Sequence, residues 1–240
     1  METSNKLLFF GLILGISVII AAGLVSNTFL AVKKMDNTIS VTGSAKQAVT
    51  ADSARWTGSF SRSTEESNLK DGYAQMKRDE TAVNNFFSSQ GLDLKNLEIS
   101  PVFMYQVYKN NDSAPKEYNL TQNIEIKSDD VEKITALAKN LDKLADKGII
   151  FSANPVEYYY SKLPDLRVSL LPEAIKDAKK RAEAIASSSD KRVNSIESAS
   201  MGVVQVMPTG AVTVDDYGSY DTSGIDKDVM ITVKAVFNLK

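Results

Sequence analysis

The chain has 240 residues, 43% hydrophobic and 24% charged, with a formal net charge of −2. That is enough apolar content to bury a real core, in one compact unit or two small ones, and it argues against a disordered chain. Cysteine and histidine are both absent, which excludes disulfide frameworks, thiol nucleophiles, zinc-finger ligation, Ser-His-Asp triads and imidazole acid–base chemistry.

No charged residue falls between Leu7 and Val32. The apolar heart of this run, Leu7 to Val25, would span roughly 28 Å as a helix, close to the ~30 Å of bilayer hydrocarbon. A secretory signal has a shorter apolar region, about 7–15 residues, ahead of a small-residue cleavage site. Ala21-Ala22-Gly23 would offer such a site, but deep inside the apolar run. The expectation is an uncleaved single-pass anchor in residues 1–34, contacting the bilayer through residues 7–32, followed by one domain in 35–240. Lys6 on one side faces Lys33 and Lys34 on the other, and with the amino group counted the positive-inside rule gives a tie.

After the anchor, Thr38–Val49 and Ala54–Ser61 read as strands, with Thr, Val, Ile and Trp alternating with small polar residues. Ser63-x-x-Glu66 reads as a capping box for a helix carrying Leu69, Tyr73, Met76, Val83 and Phe87 and ended by Gly91. Extended runs at Glu98–Tyr108 and Glu117–Lys127 flank the turn-rich stretch KNNDSAP, which predicts a hairpin. Asp129-x-x-Glu132 then caps a second helix with Val131, Ile134, Leu137, Leu141 and Leu144, closed by Gly148.

A strand over Ile149–Tyr160 follows, then a helix after Pro172, a strand near Val193–Val206, a loop, and a final strand over Asp228–Lys240. In that strand Val229, Ile231, Val233, Ala235, Phe237 and Leu239 are apolar at strict period two. The order ββαββαβαββ predicts an α+β fold with antiparallel strand pairs and about three helices packed on the sheet.

The third helix places Ala174, Ala178, Ala182 and Ala186 in one i,i+4 row. Such a low ridge lets a helix axis approach its neighbour closely, so the row reads as a packing surface. The cluster Lys176, Lys179, Lys180, Arg181 is interleaved with Glu173, Asp177 and Glu183. It reads as a solvated face with Asp177–Arg181 and Lys179–Glu183 pairs. Removing residues 1–34 removes three cations and one acid, so the remainder is more acidic than the whole, which disfavours nucleic acid as a partner.

The loop over 215–228 holds Asp215, Asp216, Asp221, Asp226 and Asp228. It is a candidate calcium or small-ligand site, although EF-hand spacing is absent. Tyr158-Tyr159-Tyr160 could stack a ligand, but in a strand alternate tyrosines face opposite sides. Asn119-Leu120-Thr121 fits the glycosylation sequon. With no phosphate-binding loop, dinucleotide fingerprint or metalloprotease motif present, no catalytic, cofactor-binding or metal residue is assigned, and no enzyme activity is expected.

The order of these pieces resembles the SIMPL-domain family, whose bacterial members are exported and whose animal namesake associates with a signalling kinase. Thr38-Ile39-Ser40-Val41-Thr42-Gly43 is similar to the family's opening strand and glycine. Ala51-Asp52 stands where many members have Pro-Asp, and GLDLKNLEIS (91–100) resembles the passage after the first helix. The alanine-ridge helix resembles the family's alanine-rich helix ahead of its late strands, and Asp221-Thr222-Ser223 leading into the last strand is similar to membrane-anchored members. Departures are the missing proline before Asp52 and SSSDKRVNS where relatives place glycines. The resemblance implies α+β domains on the extracytoplasmic side that assemble into ring- or cage-like homo-oligomers, with no established catalytic activity. The expected function is therefore a non-enzymatic assembly or interaction module, possible roles lying in cell-envelope or stress physiology. The alternative is a small-ligand or calcium-binding protein, or an enzyme, using the 215–228 loop.

Overall fold

Helix α1 (Glu2–Met35) includes a 20-residue stretch, Phe10–Phe29, long and apolar enough to cross a membrane, none of it buried within the protein. An apolar helix whose side chains meet no protein surface needs lipid or a translocation channel around it. Its length and composition fit a membrane anchor and a signal sequence alike. The structure, a computed structural model, describes residues 2–35, 37–108, 115–211 and 217–240, and within α1 the side chains of 10–29. The connector KNNDSAP therefore lies almost entirely outside the described residues.

In chain order the elements after α1 are β1 (Thr38–Thr50), β2 (Ser53–Glu65), α2 (Leu69–Ser89), β3 (Leu97–Ile99), β4 (Phe103–Val107) and β5 (Glu117–Ser128). There follow α3 (Val131–Lys139), α4 (Asp142–Ala145), β6 (Ile150–Ala153), β7 (Glu157–Tyr159), α5 (Leu163–Ser187), β8 (Val193–Pro208), β9 (Ser219–Tyr220) and β10 (Asp226–Leu239). One sheet has the order β1-β10-β8-β9; the other has β3-β5-β2-β6, with β4 also on β5 and β7 also on β2. Every described pairing in the second sheet is antiparallel, while β8 and β9 pair in parallel over two residues. The fold is α+β, with four α-helices after α1 among the described residues.

The chain divides into two compact units, one of 1–45, 170–202 and 231–240, the other of 46–169 and 203–230. Residues 35–240, read in the sequence as one domain, contribute to both. In the first unit Ala174, Ala178 and Ala182 have no exposed surface and Ala186 has 3%. Ala178 and Ala182 pack with Val41 of β1 and with Ala235 and Phe237 of β10. A Cβ built on Gly43 would lie 2.2 Å from the Ala174 carbonyl oxygen and 2.3 Å from the Ala178 nitrogen. The helix backbone thus rests directly on a strand glycine. The alanine row packs against this chain's own sheet.

Helix α5 begins at Leu163 and holds Pro172 in its interior instead of starting after it. Proline removes one backbone donor and leaves the Val168 carbonyl without its helical partner. Val168 is 66% exposed, at a place where a lost helical bond costs less than in the core. The predicted Asp177–Arg181 and Lys179–Glu183 pairs form, at 2.8 and 3.8 Å. Asp177 also accepts the Ser44 backbone N–H of β1 at 2.9 Å, a link invisible from helical spacing.

In the second unit Trp56 and Phe60 of β2 and Leu120, Ile124 and Ile126 of β5 pack with Met76, Val83, Phe86 and Phe87 of α2 and Ile134 and Leu137 of α3. The Trp56 ring meets Phe87 edge-on, centroids 5.9 Å apart, and its indole N–H donates to the Asn154 carbonyl.

Four local expectations are corrected. Ser63-x-x-Glu66 makes no capping box: β2 runs through Ser63 to Glu65 because it pairs with β5 as far as Glu65↔Glu117. The cap of α3 is Asp130, accepting from the Lys133 N–H, not Asp129. The second helix breaks at Asn140 into α3 and α4. The runs at 98–108 and 149–160 are each split by a proline, which cannot donate to a ladder. Ile99 faces Ile124 and Phe103 faces Thr121, so Pro101 sits in a one-residue bulge. Ala153 faces Gly58 and Glu157 faces Arg55, placing Pro155 in a second. Gly91 and Gly148 do close their helices, at φ +78° and +71°.

Candidate functional site

The period of two along β2 and β5 sends Trp56, Phe60 and Ile124 to the helices and Arg55, Thr57, Asn123 and Glu125 to the opposite face. On that face lies a cleft of ≈ 420 Å³, lined by those four polar residues together with Gly58, Glu98, Ile99, Ser100 and Asn154. The two bulges build its walls: Ile99 and Ser100 precede Pro101, and Asn154 precedes Pro155. The Asn154 amide donates to the Thr57 hydroxyl at 2.9 Å.

An ion network crosses this face. The Arg55 guanidinium donates to Glu125 Oε2 at 2.9 Å and to Glu157 Oε2 at 3.1 Å. Lys127 also pairs with Glu125, and the Tyr159 hydroxyl donates to Glu157 at 2.9 Å. Hydrogen bonds from Arg55, then from Lys127, hold the Glu125 carboxyl down to about 2. The Arg55 guanidinium is pushed up, chiefly by the Glu125 bond. Burial raises the Tyr159 hydroxyl, and its bond to Glu157 adds to that. Glu125 therefore stays ionised and neutralised at ordinary pH, a poor general acid or base. What this face offers a ligand is hydrogen bonding and charge.

The three tyrosines diverge as a strand requires. Tyr158 is buried, its hydroxyl 2.9 Å from that of Thr135. Tyr159 stacks on Tyr220 at 5.8 Å, and the Tyr160 N–H donates to the Tyr220 hydroxyl. Asn119 of the sequon donates its amide to the Tyr105 hydroxyl.

Of the acidic loop, Asp215 and Asp216 lie outside the described residues. The other three acids are each engaged separately. Asp221 accepts from Ser223 and Gly224, and Asp226 accepts from the Thr50 hydroxyl. Asp228 pairs with Lys46 at 2.7 Å and accepts the Gly210 N–H. Among the described residues no three His, Cys, Asp or Glu side chains converge as a metal site would need.

Sequence reading missed Lys227, which is fully buried and donates to the Asp221 carbonyl at 2.6 Å. Burial lowers its ammonium against the opposing pull of Asp221. It sits in a run of alternating apolar residues, and only its position at the head of β10 marks it. Arg55 and Glu125 were equally unmarked, because their pairing depends on a cross-strand register between residues 70 apart. Asp52, in the passage that resembles the family's Pro-Asp, accepts from both the backbone N–H and the hydroxyl of Ser161. It closes the turn between β1 and β2 onto the chain after β7.

The family model described as SIMPL, protein of unknown function (DUF541), matches residues 39–237. No curated protein matches the chain.

Proposed function

The chain belongs to the SIMPL family, and we propose that it is a membrane-anchored protein whose body lies outside the cytoplasm and works as a homo-oligomeric assembly or interaction module, without catalysis, in cell-envelope or stress physiology. The observation that carries this reading is the outer edge of β8. Every residue from Asn194 to Gly202 is exposed. Beyond β8 in the sheet, β9 pairs only with Gln205 and Val206, so among the described residues nothing covers the edge over Asn194–Gly202.

Monomeric proteins blunt such edges with lysine, proline or charge. Here Val193–Gly202 (VNSIESASMG) contains one charged residue, Glu197, and no proline, and exposes Ile196 and Met201. A second copy of the chain is the partner such an edge suits. Gly11 and Gly15, four apart on α1 with open space around them, suit close helix–helix approach in a bilayer.

Replacing Ile196 and Met201 together by lysine should dissolve the assembly in size-exclusion chromatography while leaving the circular dichroism spectrum unchanged. An unaltered assembly would remove β8 from the interface. The cleft around Arg55 supports a second reading, ligand binding, since its volume falls in the range of small-molecule sites. A ligand at 100 times its dissociation constant should add ~2.7 kcal/mol of apparent stability.

A further inference from the structure

We propose that the end of the first unit where the chain leaves α1 is a contact surface for anionic lipid headgroups, formed by Lys191, Arg192 and Lys240. The inference rests on reading α1 as a retained membrane span.

Asn37 is the first described residue after the helix and is fastened at three points. The Leu239 N–H donates to its carbonyl at 2.8 Å, and its amide donates to the Leu239 carbonyl at 2.9 Å. The Lys191 ammonium donates to its Oδ1 at 2.6 Å. Beside it, Arg192 and Lys240 exchange both backbone hydrogen bonds at 2.8 Å. Three exposed cations, one preceding β8, one at its threshold and one at the end of β10, are thus gathered around the point where the domain joins its anchor.

Chain length then limits how far this point can stand from the bilayer. One residue, Asp36, separates Met35 from Asn37, so the two steps span at most ~7 Å of extended chain. The helix from Phe29 to Met35 adds about 9 Å. With the apolar stretch spanning the hydrocarbon, Asn37 can lie no more than about 16 Å beyond it, and the headgroup layer occupies the first ~5–7 Å of that distance. The remainder is comparable to the Debye length of ~10 Å at 0.1 M salt. Lysine and arginine side chains reach across part of it.

Asp190 offsets some of the charge, and Lys33 and Lys34 against Asp36 restore it. Each cation near an anionic surface is worth about a fivefold bias toward the docked arrangement. The collar therefore fixes how the domain stands on its membrane, a property that a flexible, neutral tether would leave free.

The chain contains no cysteine, so a single fluorophore on Ser189→Cys reports from beside the collar without background. The full-length protein would be reconstituted into vesicles of phosphatidylcholine, or of equimolar phosphatidylcholine and phosphatidylglycerol. Both would carry the same trace of a lipid with a nitroxide on its headgroup. The expected result is quenching at least about twofold stronger in the anionic vesicles. That excess should disappear in high salt and in the variant Lys191→Gln, Arg192→Gln, Lys240→Gln, whose backbone bonds are preserved and whose circular dichroism should match the parent. Equal quenching in both vesicles, from protein retained after an alkaline wash, overturns the headgroup contact and leaves the anchor standing. Protein removed by the wash overturns the anchor, and the contact with it.

Discussion

Gly43→Ala adds one methyl group where the ridge helix touches β1. The new Cβ would meet the Ala174 carbonyl oxygen at 2.2 Å, the Ala178 nitrogen at 2.3 Å and the Ala178 Cα at 2.7 Å. All three are backbone atoms, so no side chain can rotate away, and α5 must retreat by about 1 Å to restore ordinary contact. Such a gap forfeits a quarter to a half of each dispersion well along the ridge. Overpacking of this kind costs about 1–3 kcal/mol. Alanine recovers ~0.4–1 kcal/mol by restricting the unfolded chain, leaving a net loss of about 1.3 kcal/mol. For a protein of this size that lowers Tm by roughly 3–5 °C, read by circular dichroism of the full-length protein in detergent. Lys179→Leu, on a half-exposed position beside Ala178 but off the ridge row, should change stability by less than about 0.5 kcal/mol. A Gly43→Ala protein as stable as the parent, or more stable, would refute the close-packing argument, because without the contact only the unfolded-state gain remains.

Phe87→Ala should cost about 3–5 kcal/mol, since Phe87 is fully buried and touches both Trp56 and Phe86 edge-on; chemical denaturation measures it, and a loss below ~1 kcal/mol would contradict the packing described. Glu125 has a folded-state pKa depressed from 4.5 to about 2, so its ion pairs contribute stability that is present above pH 4.5 and is lost as pH falls toward 2. Glu125→Gln should flatten the acid side of the stability profile in that window, and an unchanged slope would mean that solvent already screens the network. Cysteines introduced in KNNDSAP should react with a membrane-impermeant reagent on intact cells; labelling only after lysis would place the body in the cytoplasm.

The elements whose identity rests on local pattern were legible in the sequence. Period two defined β10, the i,i+4 alanines identified a buried ridge, and Gly91 and Gly148 marked helix ends. What local pattern could not reveal was partnership. Ser63 and Glu66 have capping-box spacing, yet twelve residues of β5 stand ready to extend β2 through that position, and tertiary pairing outweighs a cap. Pro172 reads as a helix start because proline suits a first turn, and nothing nearby signals that the preceding turns are held by buried Leu163, Leu166 and Leu170. The Arg55 cleft was illegible for a similar reason: its residues come from β2, β3, β5 and two proline bulges, brought together by register. The acidic loop drew notice by composition, but Asp221, Asp226 and Asp228 turn out to serve separate local contacts.

The central claim is self-assembly on a membrane anchor, and the mass of the detergent-solubilised full-length protein, corrected for bound detergent, tests it most directly. The account predicts a mass of at least twice 26.2 kDa, in whole multiples of it, that persists on dilution. A single species at 26.2 kDa across the accessible concentration range would contradict it.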